Sequence, residues 1–531
     1  MPKIFTNLDA HIPRADFAAI DSGTPSSDNF QQIHLHNLVG DNNFIYKMLR
    51  KPDFQRETNQ WSPQQISTLV DSFMEGELIP AVILWRSESS NIFVIDGGHR
   101  LSALLSWARD DYGDGVDSNI FFNNQISRHQ KTAADRTRKE IQERIGSYAS
   151  WQERSRRYDQ ISDINEKRRA GNFSSRGVQV QWINGDADKA ESSFFKINSQ
   201  GTALDPTETK ILKNRNKPPA ISARSIVRSA TGHRYWSRFN EHVQSEIKNL
   251  ATDCHALLFS PEVTNPVRTV DLPIGGSTSN ARALDLLISI SEIADPQNRK
   301  LSEAADDADG SETVALLKST KKILGRICGN APSSLGLHPA VWFYNQQGRQ
   351  SDHLLLGTIS IFNNAIKNNH PTFFAGFTLG RAAIEKYLID NKDILSRFVS
   401  GVGSANRQAR AVDMLNLIMR AAMLAEAMPS LETVASTMKL GARAFIVNEE
   451  DGTEFTTETK SAAFIKAALS SSLRCPICNG YLEPVRSVTY DHNLPKRDGG
   501  RGSVDNCQLA HPFCNSAKDQ IETEKRKARL R

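Results

Sequence analysis

The C-terminal part of the chain reads CPICNGYLEPVRSVTYDHNLPKRDGGRGSVDNCQLAHPFCNSAK over residues 475–518. Two pairs of soft metal ligands open and close this stretch, and each pair has two intervening residues: Cys475 with Cys478, and His511 with Cys514. A Cys₃His set with this spacing is typical of a closed, tetrahedral structural zinc site. The sequence therefore predicts that one zinc ion ties the two ends of the stretch together.

A second group of polar residues lies between and beside these ligands. Asp491 and His492 are adjacent, Asn506 follows, and Asn515 comes directly after the last cysteine. A neutral imidazole accepts a proton from water near pH 7, and carboxylate and carboxamide oxygens are the hard ligands that Mg²⁺ prefers. We predict His492 as the general base, Asp491 and Asn515 as ligands of Mg²⁺ or Mn²⁺, and Asn506 as the residue that holds the loop carrying His492. Such a site hydrolyses phosphodiesters.

The order of these residues resembles the HNH endonuclease family. The resemblance covers residues 471–531 and rests on Asp491-His492, Leu494-Pro495, Gly499-Gly500, Asn506, Leu509 and the run from Cys514 to Lys518. It implies a ββα-metal fold, in which a hairpin and the following helix carry the base and the metal ligands, and it implies DNA as the substrate. His511 replaces the cysteine of many members, and imidazole is an ordinary zinc ligand. The alternative is a zinc knuckle that only folds this region or grips nucleic acid.

Local structure is readable in the N-terminal third of the chain. Ser62, Pro63 and Gln65 have the pattern of a capping box with proline in the first turn, so they predict a helix that ends near Gly76. Two short runs rich in β-branched and aromatic residues, 81–85 and 92–95, predict strands. A turn with two glycines and then a second helix follow the later strand.

The turn after this strand carries charged residues beside the glycines. Backbone amides at a helix N-terminus attract phosphate, the Arg100 guanidinium can bind the same group, and Asp96 can bind a metal or water. The predicted nucleotide site comprises Gln55, Arg56, Asp96, Gly97, Gly98, His99 and Arg100. The alternative is that Asp96 and Arg100 form only an ion pair that stabilises the turn.

Residues 35–225 resemble the ParB-like domain of GmrSD-type restriction systems, with their FQR, IP and DGxxR motifs. The segment from Ser193 to Glu208 resembles the later F-x-x-I-N-x-x-G-x-x-L motif of the same family, and Asp205, Pro206 and Glu208 cap the helix after it. The resemblance implies binding or hydrolysis of ATP, GTP or another nucleoside triphosphate, coupled to restriction of modified DNA. Gly98-His99 replaces two glutamines of the common form, which leaves hydrolysis open.

Length and composition indicate a multidomain protein of a reducing compartment. A chain of 531 residues exceeds the size of a single core, and its six cysteines do not have the pattern of a disulfide framework. No signal peptide is recognisable, and Arg420 interrupts the apolar stretch from Met414 to Met428. We therefore expect a cytoplasmic protein with no membrane segment.

The net charge of +5 is modest, but basic residues concentrate in three segments. Segment 128–169 has twelve Lys and Arg against seven Asp and Glu, segment 208–234 has seven against one, and segment 471–531 has eleven against seven. Such patches suit phosphate backbones. The alternative for segment 128–169 is a solvated helix face, because acids are interspersed there.

The middle of the chain, residues 237–442, shows helical periodicity without a recognisable chemical motif. Its acidic run from Glu303 to Glu312 predicts an exposed loop or linker. The whole sequence thus predicts an α+β multidomain protein: a ParB-like α/β nucleotide-binding domain over 35–225, a helical connector over 237–442 and a ββα-metal HNH domain with structural zinc over 465–531.

The predicted function is a metal-dependent DNA endonuclease regulated by nucleotide binding, which restricts modified or foreign DNA such as that of phages. One alternative is a nucleotide-gated DNA-binding regulator whose zinc module does not cut. Another is a toxin-like nuclease that cleaves RNA, because single strands and duplexes use similar basic grooves. A chain with one catalytic centre breaks both DNA strands either as a dimer or by two successive nicks. A homo-oligomer is therefore compatible with this function.

Overall fold

The computed structural model describes residues 4–15, 17, 30–39, 43–52, 55, 58–59, 61–87, 90–200, 206–231, 234–263, 266–278, 280–370, 372–403, 406–445 and 455–529. The chain divides into two compact units. The N-terminal unit consists of residues 1–215 and 231–235, and the C-terminal unit of residues 216–230 and 236–531. The architecture is mixed α+β, as predicted. The predicted domain boundaries at 35–225, 237–442 and 465–531, and the ParB-like character of the first domain, stay predictions.

The N-terminal unit is built on a mixed sheet. Its strands are β1 (Arg14–Ala15), β2 (Gln32–His34), β3 (Leu49–Pro52), β4 (Val82–Arg86), β5 (Ile92–Asp96) and β6 (Gly177–Trp182). They lie in the order β1-β3-β5-β4-β6-β2, with β4 antiparallel to β5, β2 antiparallel to β6, and the other neighbours parallel. The predicted strands 81–85 and 92–95 correspond to β4 and β5.

The two central strands are buried on both faces of the sheet, because the side chains of β4 and β5 alternate between two apolar clusters. One cluster contains Val82, Leu84, Ile92 and Val94 together with apolar residues of the helices on that side. The other contains Trp85, Phe93, Ile95, Phe194 and Leu212. Strands covered on both sides read as continuous apolar runs, which is how these two appear in the sequence.

The helices of the N-terminal unit include the one predicted to end near Gly76 and the one predicted after the glycine turn. They are α1 (Leu35–Leu38), α2 (Phe44–Met48), α3 (Pro63–Glu75), α4 (Gly98–Arg109), α5 (Val116–Phe121), α6 (Arg128–Arg144), α7 (Tyr148–Arg156), α8 (Ile164–Ser175), α9 (Ala187–Gln200) and α10 (Pro206–Lys213). The capping box of α3 is present: Ser62 Oγ accepts from Gln65 N at 3.3 Å, and Ser62 N donates to Gln65 Oε1 at 3.0 Å. The helix ends at Gly76, whose φ is 80°.

The basic segment 128–169 forms α6, α7 and the start of α8, and several of its arginines pair with acids of the same unit. Arg138 contacts Asp110 at 3.1 Å and Asp114 at 2.8 Å. Arg144 and Arg169 lie 2.9 Å and 3.0 Å from Asp71. These arginines belong to an ion-paired helix face, in agreement with the alternative interpretation of this segment.

The C-terminal unit is a helical assembly followed by a small β-hairpin and two helices. The helices before the hairpin are α11 (Pro218–Val227), α12 (Glu241–Phe259), α13 (Asn280–Ala294), α14 (Ser311–Ile327), α15 (Pro339–Trp342), α16 (Asp352–Lys367), α17 (Phe373–Asp390), α18 (Lys392–Gly401), α19 (Arg407–Met423), α20 (Leu431–Thr437) and α21 (Thr457–Ser470). Helix α12 packs against α14, and α16 and α17 pack against α19. The middle of the chain is therefore helical, as its periodicity predicts.

Two details of this helical part differ from the sequence-based expectations. Asp307 lies in the acidic run expected to be an exposed loop, but it is buried and caps α14, because its carboxylate accepts from Gly310 N at 2.9 Å and from Thr313 N at 2.8 Å. Arg224, in the basic segment 208–234, is buried within α11. Neither side chain therefore contributes to an exposed charged surface.

The hairpin consists of β7 (Thr489–His492) and β8 (Cys507–Ala510), which pair antiparallel, and the helices α22 (Pro512–Ser516) and α23 (Lys518–Arg529) follow it. The register sets Asp491 opposite Gln508 and His492 opposite Cys507. This ββα order is the one that the HNH resemblance implies. Among the residues that the structure describes, none of the helices has the length and apolar character needed to cross a bilayer.

Candidate functional site

Four metal-ligand side chains meet in the C-terminal unit. The ligand atoms of Cys475, Cys478, His511 and Cys514 all lie within 4.8 Å of one another, and all four residues are buried. His511 Nδ1 is 3.4 Å from Cys478 Sγ and 3.7 Å from Cys514 Sγ. Tetrahedral zinc with bonds of about 2.0 to 2.3 Å keeps its ligands roughly 3.5 to 3.8 Å apart. These residues, called the zinc cluster below, therefore fit the predicted ion.

Local backbone structure positions both ligand pairs of the zinc cluster. A tight turn holds the first pair, because Cys475 N donates to Gly480 O at 2.9 Å and Asn479 N donates to Cys475 O at 2.7 Å. Proline after His511 starts α22, which carries Cys514. His511 Nε2 lies 2.9 Å from a backbone carbonyl, so its Nδ1 faces the thiols. A second nitrogen bound in this way is the usual arrangement for a metal-ligating histidine.

Asp491 is fixed by two neighbours that were not predicted as site residues. Its Oδ2 accepts from Gln508 Nε2 at 2.8 Å across the hairpin and from Lys518 Nζ at 3.0 Å. The residue is 8% exposed. A carboxylate with both contacts on one oxygen is held in a single orientation, as a metal ligand requires. The sequence alone does not indicate that Gln508 and Lys518 both contact Asp491, because these contacts depend on the register of the hairpin.

His492 is the last residue of β7, and Asn515 lies beside the same strand. Asn515 Nδ2 contacts Thr489 Oγ1 at 3.3 Å and donates to Tyr490 O at 3.2 Å, so the carboxamide oxygen is the atom left for a metal. Lys518 Nζ also donates to His492 O at 3.1 Å, which links the start of α23 to the end of β7. The hard oxygens of Asp491 and Asn515 are suitable ligands for Mg²⁺.

Asn506 bonds both ends of the loop that follows His492. Its Oδ1 accepts from Leu494 N at 2.6 Å, and its Nδ2 donates to Leu494 O at 3.1 Å and to Arg501 O at 2.8 Å. Gly500 lies inside this loop, where a Cβ would be 1.8 Å from Leu494 O. Only glycine fits such a close approach of two backbone segments.

The predicted nucleotide residues surround one pocket of the N-terminal unit, with a volume of about 170 Å³. It is lined by Gln55, Thr58, Trp61, Ile95, Asp96, Gly97, Gly98, His99, Arg100 and Phe194. Phe194 comes from α9, so the later motif meets the glycine turn here. Arg56 lies outside the described residues, as do the positions 201–205 of the later motif.

The glycine turn shapes this pocket. Gly97 has a φ of 90°, and a Cβ there would be 2.6 Å from Val82 Cγ1. Arg100 Nη2 contacts Asp96 Oδ2 at 2.5 Å and donates to Ala81 O at 3.1 Å, so the ion pair of the alternative interpretation is present. The rings of His99 and Trp61 stack with centroids 5.5 Å apart. The pocket thus presents a helix N-terminus, a guanidinium and an aromatic wall.

A buried charge network lies behind the pocket, and sequence reasoning missed it. Asp9 pairs with Arg14 and, at 3.2 Å, with Lys51. Lys51 Nζ bonds Thr58 Oγ1 at 2.5 Å, and Asp9 Oδ1 accepts from Thr58 N at 3.0 Å. Burial lowers the pKa of Lys51 to about 8, while Asp9 opposes this shift. Because Thr58 and Gln55 line the pocket, this network fixes part of the pocket wall. Asp9 and Arg14 of the network are far in sequence from any of the motifs.

Comparison with known proteins gives a match for each of the two sites. Residues 35–216 match the family model described as GmrSD restriction endonuclease, N-terminal domain. Residues 475–520 match the family model described as HNH endonuclease. The order of the two matches is that of a GmrSD-type fusion. No curated protein and no solved structure matches the chain.

Proposed function

The chain joins a GmrSD-type N-terminal domain to a C-terminal HNH endonuclease domain, and we propose that it cuts modified or foreign DNA, phage DNA included, under the control of a bound nucleotide. The observation that carries the proposal is the ββα hairpin, where Asp491 and Asn515 are held beside the strand that ends in His492. A metal-dependent endonuclease needs this combination of ligands and base.

In the proposed nuclease centre, Asp491 and Asn515 hold Mg²⁺ or Mn²⁺, which offsets the charge that develops on the phosphate. His492 takes a proton from the attacking water at its imidazole nitrogen. Gln508 and Lys518 keep the Asp491 carboxylate in place, and Asn506 keeps the loop after His492 in its observed path. The proposed zinc ion has a structural role, because the four protein ligands of the zinc cluster leave no coordination position open for water or substrate.

In the N-terminal unit, the proposed ligand is a nucleoside triphosphate such as ATP or GTP. The N-terminal amides of α4 and the Arg100 guanidinium suit its phosphates. The Trp61 ring offers an aromatic face for a base. The carboxamide of Gln55 lies 3.5 Å from the Cβ position of Gly98, close enough to contact a ligand at the helix start.

The first test compares the wild type with His492→Ala. Purified proteins are incubated with modified phage DNA and with matched unmodified DNA, with Mg²⁺ or Mn²⁺, and with and without ATP or GTP. We expect nicks or breaks from the wild type and none from His492→Ala, whose circular dichroism should be unchanged. His370→Ala, which removes an exposed histidine of the same unit, should cut like the wild type.

The outcomes separate the alternatives. Cleavage that depends on modification or nucleotide supports the regulated restriction enzyme. Cleavage without either dependence leaves the endonuclease but rejects the regulation. Absence of DNA cleavage under all conditions rejects the proposal, and an RNA substrate then distinguishes a toxin-like nuclease from a regulator that does not cut.

The nucleotide site has its own test. Binding of a fluorescent ATP or GTP analogue should weaken at least tenfold in Gln55→Ala, because this change removes a pocket group but leaves the Asp96–Arg100 ion pair intact. Arg109→Ala serves as a control, since Arg109 pairs with Asp117 and does not line the pocket. Equal binding by all three proteins would reject a nucleotide in this pocket.

A further inference from the structure

Two charged residues of helix α17 are completely buried next to the zinc cluster. Arg381 Nε and Glu385 Oε1 form an ion pair at 2.8 Å, and their side chains are 1% and 0% exposed. The removal of two charges from water is unfavourable, and it is offset only when the charges attract each other at close range and their remaining polar atoms are hydrogen-bonded. The partners of this pair therefore show what the burial of the charges accomplishes.

Most of these partners are backbone groups around the zinc cluster. Glu385 Oε2 accepts from Tyr481 N at 2.6 Å. Arg381 donates to Tyr481 O at 3.3 Å, to Gly336 O at 2.9 Å and to Leu335 O. The ion pair thus holds both the N–H and the C=O of Tyr481, which lies three residues after a zinc ligand.

The same carbonyl contacts the zinc cluster itself. His511 Nε2 lies 2.9 Å from Tyr481 O, and a protonated Nε2 that donates to this oxygen leaves the Nδ1 lone pair for the metal. A continuous chain of contacts therefore runs from α17 through the Tyr481 peptide to His511. In zinc proteins, groups that orient a ligand in this way contribute to metal affinity.

Packing leaves little freedom around this chain of contacts. A Cβ at Gly480 would be 2.5 Å from Arg381 Nε, and a Cβ at Gly336 would be 3.0 Å from His511 Cδ2. Phe513 N also donates to Ser334 O at 2.9 Å, so α22 is bonded to the same loop as the guanidinium. Zinc with three thiolates carries a single net negative charge, which a nearby guanidinium favours.

We infer that Arg381 and Glu385 are positioning residues of the zinc cluster: they hold the Tyr481 peptide that orients His511, and they couple zinc retention to the folding of the helices. The inference rests on the proposed zinc ion and goes beyond the proposed nuclease, because it assigns a role to residues outside the HNH match. By linkage, the coupling acts in both directions: loss of zinc loosens α17, and loss of the ion pair loosens zinc.

The first experiment measures zinc content and the rate of zinc transfer to a chromogenic chelator in the full chain. We expect about one zinc per chain. Glu385→Gln should release zinc at least tenfold faster, because it loses the charge that pairs with Arg381 and a strong acceptor for Tyr481 N. Lys386→Ala should release zinc at the wild-type rate, since Lys386 is exposed on the same helix and contacts only Asp390 among the ion pairs described.

Since Glu385→Gln leaves a buried guanidinium unpaired and can fail to fold, the deciding experiment uses the wild type. Amide hydrogen exchange is measured before and after zinc removal by EDTA. We expect lost protection at Tyr481 and along α17. A change confined to the residues that flank the four ligands would overturn the inference, as would an unchanged release rate in a folded Glu385→Gln. Protein without zinc would reject the proposed ion itself, a different failure.

Discussion

Cys507 is exposed on β8, directly across the hairpin from His492. The other five cysteines are buried. Burial raises the pKa of Cys254 and of Cys328 to about 12, which keeps both thiols protonated and unreactive. With zinc on the other three, we expect one thiol per native chain to react with a maleimide, as counted by intact-mass spectrometry.

Labelling of Cys507 should also affect cutting. Cross-strand partners share one face of a hairpin, so a bulky adduct at Cys507 lies beside the His492 side chain. We expect a large maleimide to lower DNA cleavage at least tenfold. Cys507→Ser should remain unlabelled and cut normally; a fully labelled wild type with undiminished activity would place the DNA elsewhere.

His338 gives the C-terminal unit a defined response to acid. Burial lowers its pKa to about 4; Glu385 opposes the shift, and Lys392, Arg381 and Arg486 reinforce it. The unfolded chain has the higher pKa, about 6.5, so it binds a proton that the folded chain does not. Folding with a neutral His338 therefore has no proton-linked cost above pH 6.5, and the free energy of unfolding decreases as the pH falls from 6.5 towards 4.

The corresponding experiment compares urea unfolding of the wild type and His338→Gln at pH 7 and pH 5. Between these values the wild type should lose about 2 kcal/mol more than the variant. Other groups, including the zinc ligands, titrate in both proteins, so their effect on the free energy of unfolding cancels when the two losses are subtracted. Equal losses in both proteins would mean that His338 titrates normally.

Two glycines of the HNH region, residues 475–520, test how closely this region packs against α17. Gly480→Ala places a methyl group against Arg381, whose guanidinium is held by hydrogen bonds and cannot move aside. We expect a loss of about 1 to 3 kcal/mol, typical of overpacking. A Cβ at Gly502 has no described atom within 4 Å, so Gly502→Ala should change the stability little. Thermal unfolding of both variants provides the comparison.

Elements with local signals were predictable from the sequence. The start of α3 depends on Ser62 and Gln65, and its end on Gly76; both contacts and the positive φ are present. Strands β4 and β5 were readable because both faces are apolar. The burial of Asp307 was not predicted, because an acidic run is usually exposed to solvent. In the structure its carboxylate accepts hydrogen bonds from the first backbone amides of α14.

The candidate sites were predictable only in part, for a similar reason. The sequence spacing predicted that the four zinc-cluster residues form one metal site, and in the structure their ligand atoms lie within 4.8 Å of one another. Arg381 and Glu385 have the ordinary i,i+4 spacing of a helical ion pair, which does not reveal that they are buried or that they contact Tyr481, 100 and 96 residues away. The contact of Lys51 with Asp9 likewise joins positions 42 residues apart and depends on tertiary packing. The roles of His492, Asn515 and the pocket residues remain predictions until they are tested.

At the scale of the whole molecule, helices α11 to α21 and the HNH region of residues 475–520 belong to one compact unit. Arg486 donates to Ser260 O and to Leu272 O at 2.7 Å, and Ser516 donates to Pro332 O at 2.7 Å. We therefore expect a fragment of residues 465–531 to bind zinc at least tenfold more weakly than the full chain, as measured by competition with a chelator. Equal affinity would show that this fragment folds autonomously.

The ion-paired arginines of α6 and α8 have a consequence for ionic strength. A basic side chain makes DNA binding salt-dependent when it displaces condensed cations from phosphates, with a slope of about −0.9 per phosphate contact in a double-logarithmic plot. Arg138, Arg144 and Arg169 are already neutralised by carboxylates of their own unit. They displace no counterions while those pairs persist, so DNA affinity should fall less steeply with added salt than the number of basic residues in segment 128–169 suggests.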